Sequence, residues 1–79
     1  MPDLTAEDIQ KIKEITSKQI GENVRIAREK KNLTQSELAA MILSDRQYLY
    51  KIESGRVGVS VVKLAIIAKA LDVDVRELI

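Results

Sequence analysis

"LTQSELAAMILSDRQYLYKIESG", Leu33 to Gly55, is the stretch on which the fold turns. Thr34 followed three residues later by Glu37 is a capping box, in which each side chain satisfies the other's orphan backbone N–H. Leu38, Ala39 and Ile42 then fall on one face, so a helix is predicted over roughly Gln35–Ile42. Ser44 or Asp45 caps the next helix, Leu49 and Ile52 are its apolar pair, and Gly55 stops it.

Stepping about 100° per residue along the second of these helices sorts its side chains. Asp45, Leu49, Ile52 and Glu53 share one side, Gln47, Tyr50, Lys51 and Ser54 the other, with Arg46 and Tyr48 on opposite flanks. One side is core and the other is a row of hydrogen-bonding groups. Arg and Gln pair bidentately with guanine and adenine edges in the major groove, and Tyr can bond a phosphate oxygen or pack on a thymine methyl. Tyr48 and Tyr50 are the only aromatic residues in the chain. Taken alone, the helix is explained equally well by a solvated outer face with tyrosine as half-buried filler. Two short helices joined by a tight turn, the second with its polar face outward, shift the balance towards a helix-turn-helix.

Working outward, Thr5 and Asp8 form another capping box with Glu7 beside it, and Ile9, Ile12, Ile20, Val24 and Ala27 recur near one stripe. Gly21 interrupts that run, but one helix reaching about Lys31 is the favoured reading. Asn32 then takes the left-handed conformation at its exit. Ser60 caps a fourth helix with Val61, Leu64, Ile67, Ala68 and Leu71 at helical spacing. Asp74 with Glu77 opens a short fifth one through Leu78. No strand pattern competes.

Composition narrows the chemistry. The 79 residues suffice for one small domain, and a chain of this size gains from a partner subunit. Cys and His are absent. That removes thiol nucleophiles, sulfur-ligated metals and the usual acid/base and zinc ligands, so no enzyme and no cofactor is expected. The apolar runs are too short to span a bilayer and the start is acidic, so no membrane partner and a cytoplasmic location are expected. Net charge is only +1, but residues 22–58 carry seven basic and five acidic side chains. The excess of positive charge is local and small.

Three segments carry a family resemblance: "VRIAREKKNLTQSELA", "DRQYLYKIESGR" and "VVKLAIIAKALDVDVREL". Together they resemble the phage-repressor-like (Cro/C1, Xre-type) helix-turn-helix domains over about Ile20 to Leu78. "DRQY" adds a weaker likeness to restriction-modification controller proteins. The resemblance implies an all-α, compact five-helix lambda-repressor-like domain over residues 20–79, preceded by an N-terminal helical extension over residues 1–19. It further implies that Gln35 holds a DNA phosphate, that Arg46, Gln47 and Lys51 face bases, and that Arg56 meets the DNA backbone from the loop. The helix geometry adds Tyr50 to the base-facing set and Tyr48 and Ser54 to the backbone set. Arg28 and Glu53 occupy positions commonly joined in the family, and a largely buried ion pair is expected there.

One departure stands out. The family turn usually holds Gly and then an aliphatic residue, where this chain has Leu43 and Ser44. Because Leu resists a positive φ, a longer second helix or a differently closed turn is expected, with Leu43 filling the core.

The function implied is a sequence-specific, DNA-binding transcription regulator that binds double-stranded DNA as a homodimer on a pseudo-palindromic operator, either repressing by occupancy or touching RNA polymerase. The alternative is the antitoxin of a toxin-antitoxin pair, which also binds a toxin protein. For the dimer surface the C-terminal side, with Val73, Val75, Leu78 and Ile79, is preferred over the patch of Ile9, Ile12 and Ile15. The N-terminal extension docked on its own domain is rated equally with a free patch.

Overall fold

The structure, a computed structural model, describes residues 3–79, so the first two residues of the expected extension lie outside it. Four α-helices follow in order: α1 (Ala6–Lys30), α2 (Gln35–Met41), α3 (Arg46–Glu53) and α4 (Val61–Leu71), closed by a 3-10 turn over Val75–Leu78. The expected fifth helix is therefore a correction. Asp74 does cap it, accepting from Arg76 N–H at 2.8 Å, but the bond that follows, Glu77 N to Asp74 O at 2.9 Å, closes the tighter three-residue turn of a 3-10 segment.

Each helix starts where a polar side chain satisfies its orphan amides. Thr5 and Asp8 cap α1, Thr34 and Glu37 cap α2 with bonds of 3.0 and 2.9 Å, Asp45 caps α3 and Ser60 caps α4. The two backbone and side-chain bonds from Thr34 hold the Glu37 carboxyl below its usual pKa. The four helices also end alike. Asn32, Leu43, Gly55 and Asp72 each adopt positive φ, and in each case the following N–H reaches back into the last turn, as in Leu33 N to Arg28 O and Ser44 N to Ala39 O.

Leu43 overturns the sequence expectation. It takes φ 56° and is 94% exposed, while Ile42, at 5%, fills the core position beside it. Two closing bonds, Leu43 N to Ala40 O at 3.2 Å and Ser44 N to Ala39 O at 2.8 Å, together with burial of Ile42, outweigh the cost of a side chain in the left-handed region. The turn of the motif thus keeps the shape a glycine would give.

The core is aliphatic. Val24, Leu38, Leu49, Ile52, Ile67, Leu71 and Leu78 are its largest fully buried side chains. The α1 helix lies mainly against α3, and α2 packs on α3 and α4. Val61, expected in the stripe of α4, is 81% exposed because it sits in the first turn, beyond the reach of the core. Likewise the buried face of α1 begins only at Ile20. Ile9, Ile12 and Ile15 are 41, 55 and 68% exposed, so the amino-terminal half of α1 projects as an arm and does not dock on its own domain. The long dimension of the molecule, 44 Å against 24 and 19 Å, follows from this.

Candidate nucleic-acid interface

Leu49, Ile52 and Glu53 turn α3 inward, Tyr48 lies half-buried on its flank, and the other side chains face solvent. Arg46, Gln47, Lys51 and Ser54 are exposed, as is Tyr50. No acidic side chain lies among them beyond the cap Asp45, so the surface is a row of donors suited to acceptor edges and phosphates. Arg56, one residue past the Gly55 turn, holds its guanidinium 5.5 Å from the centre of the Tyr50 ring and extends the row. Ser54 Oγ donates to the Lys51 carbonyl at 3.2 Å and so partly closes the end of α3.

Tyr48 behaves differently from its neighbour. It is half-buried against the core, and Lys63 of α4 stands 5.5 Å over its ring. Lys63 Nζ also donates to Ser44 Oγ at 3.4 Å, so one α4 side chain braces both the turn and the flank of α3. Sequence reasoning missed Lys63, because nothing local to α3 signals a cation arriving from the next helix.

The pair Arg28–Glu53 is as expected. Arg28 Nε and Nη2 donate to the two carboxylate oxygens at 2.7 and 2.9 Å, with the side chains 10 and 4% exposed. Arg28 Nη1 donates to the Leu33 carbonyl at 2.7 Å, and Gln35 Nε2 donates to Glu53 Oε1 at 3.0 Å. The bond to Glu53 raises the Arg28 pKa further above its ordinary value, so the charge is permanent. These contacts tie α1, the entry to α2 and the end of α3 into one hub. Gln35 thus sits half-buried at the amino end of α2, with one amide hydrogen on Glu53 and the other unused.

Two close approaches fix the height of α3 on α1. A Cβ on Gly21 would lie 2.7 Å from the Glu53 carbonyl oxygen, with the Ile52 oxygen closer still. A Cβ on Gly55, already at φ 76°, would lie 2.7 Å from Lys18 Cγ. Gly21 is therefore a contact point and not an interruption, and the signal was the glycine itself inside a helical pattern. Among the described residues no group of His, Cys, Asp or Glu could hold a metal ion.

Two short helices joined by a tight turn, the second with its polar face outward, agree with the family model called Helix-turn-helix (HTH_3), which matches residues 24–78. The chain belongs to this Xre-type helix-turn-helix family. It is a family of DNA-binding transcription regulators and not of enzymes. Among solved structures, the chain is similar to the restriction-modification controller protein C.AhdI from Aeromonas hydrophila. The identity is 35% over 82% of this chain and 94% of that one, with a TM-score of 0.78. It is also similar to the clp gene regulator ClgR from C. glutamicum, with 32% identity over 80% and 82% of the two chains and a TM-score of 0.78. The hypothetical transcription factor NHTF from Neisseria shares 27% identity over 99% of this chain and 83% of its own, at a TM-score of 0.72. No curated protein sequence matches the chain significantly. The controller likeness expected from "DRQY" is thus found. No helix among the described residues is long and apolar enough to cross a membrane.

Proposed function

We propose that this helix-turn-helix protein regulates transcription by binding a pseudo-palindromic operator sequence-specifically as a homodimer. The observation that carries the reading is the outward face of α3, where Arg46, Gln47, Tyr50 and Lys51 stand together, exposed, on a helix whose other side is locked to the core. One such face reads only a few base pairs. Two-fold pairing sets two of them about 34 Å apart along one side of the duplex, which makes the operator symmetric.

Within this reading Arg46, Gln47, Tyr50 and Lys51 contact base edges. Gln35 offers its second amide hydrogen to a phosphate, and Ser54 and Arg56 meet the backbone beyond Gly55. Tyr48 directs its hydroxyl to a phosphate from the flank, the ring staying under Lys63.

Selection of bound fragments from random DNA identifies the operator, and binding by variants then assigns roles. Arg46→Ala and Gln47→Ala should each cost about 1–3 kcal/mol on the operator and relax the preference at one base position. Arg56→Ala should weaken every sequence alike. Uniform losses for all three would refute base reading by α3.

A further inference from the structure

We propose that the exposed face of α1 is a self-complementary seam through which two copies of this chain pair antiparallel, the groove at its carboxyl end receiving the first turns of the other copy. This names the surface of the homodimer proposed above and rests on that reading.

The seam is written in the spacing. Ile12, Ile15 and Ile26 fall on one line of alternating four- and three-residue steps along the helix, whose other members, Asp8, Gln19 and Glu22, are polar. They lie on the side of α1 turned away from Val24 and Arg28, and Ile12, Ile15 and Ile26 are 55, 68 and 40% exposed. The arm gains no cover from its own protomer over its first three turns, and a helix of that length is marginal in water without packing.

At the carboxyl end the same face opens into a groove of about 630 Å³. Ile26, Ala27 and Val73 form its apolar wall, Lys30 and Lys31 supply two positive charges, and Glu77 of the 3-10 turn supplies one negative charge, which leaves the groove net positive. The amino end of the chain's helix carries Asp3, Glu7 and Asp8, and among the described residues neither these three nor the two lysines are in an ion pair. Antiparallel pairing about a two-fold axis at Gln19 sets Ile12 of each copy against Ile26 of the other, Asp8 against Lys30, and Glu7 beside Lys31. Parallel pairing would set acid on acid and base on base. Charge and helix dipoles therefore select the same arrangement, and a two-fold contact closes on itself.

The C-terminal side, preferred from sequence, has less to offer. Leu78 is fully buried in its own core, and Val73 and Val75 are half-buried, which leaves Ile79. The apolar groove between α2 and α4, with Met41, Val62 and Ile66, carries no opposite charges to match on the same surface.

The solution mass of the full chain tests the seam. Each isoleucine enters a two-fold contact twice, so Ile12→Glu should weaken self-association by about a hundredfold, whereas Ile66→Glu should leave it unchanged. Circular dichroism checks that both variants keep their helices. Because the chain has no cysteine, Gln19→Cys should give a disulfide-linked dimer on oxidation and Gln10→Cys, off the seam, should not. A wild-type monomer, a dimer that survives Ile12→Glu, or a Gln19→Cys chain that does not cross-link overturns the proposal. The DNA reading fails separately. An Ile12→Glu dimer that still binds operator sinks only the seam, and a wild-type dimer that prefers no DNA sequence sinks only the function.

Discussion

Arg28 and Glu53 are each 9% exposed, and every polar atom between them is bonded, so removing one partner strands a charge where water cannot reach it. Arg28→Ala should lower unfolding stability by about 3–5 kcal/mol in denaturant titration. A loss below about 1 kcal/mol would put the pair among exposed bridges instead. Leu43 predicts the opposite sign. Its left-handed backbone costs about 1–2 kcal/mol, while glycine gives back about 0.5–1 through the unfolded chain. Leu43→Gly should therefore stabilise by about 0.5–1 kcal/mol, read in the same titration. The ion pair was legible because the family resemblance located both partners. Leu43 was misread because its strain was taken as a bar, when two backbone bonds and a buried Ile42 exceed it.

At the scale of elements, the contact of α1 with α3 at Gly21 decides how the reading helix is carried. Alanine is the better helix former by about 1 kcal/mol, yet its Cβ would press on two backbone carbonyls that belong to the end of α3. Gly21→Ala should lose about 2 kcal/mol net by calorimetry and also weaken operator binding, because α3 has to lift to make room. A stabilised variant would refute a tight contact between α1 and the end of α3. Helix starts were plain in sequence, since Thr34 with Glu37 and Thr5 with Asp8 announce themselves. Helix ends were less so. The turn at Val75–Leu78 is a 3-10 segment because four residues are too few to repeat an α-helical bond, and a capping residue alone does not reveal that.

For the whole molecule, charge is the quantity that matters. Arg46, Lys51 and Arg56 are the exposed basic groups on the reading side, and a near-neutral chain adds little long-range attraction. With Arg56 of each protomer the cation assigned to the DNA backbone, a dimer neutralises about two phosphates, and the logarithm of operator affinity should fall against that of salt with a slope of about −2. A slope near −10 would demand basic contacts that this surface does not supply. The projecting arm was not legible in the sequence. A stripe of isoleucines in sequence reads alike whether it meets its own core or open water, and only the position of Ile20 at the edge of that core separates the two.

Both phenol rings of this chain ride on α3, and there is no indole anywhere to outshine them. Ultraviolet emission from the intact protein therefore originates wholly in α3, one ring half open to solvent beside a guanidinium and the other tucked beneath an ammonium group. The molecule carries its own optical probe of engagement, with no dye to attach.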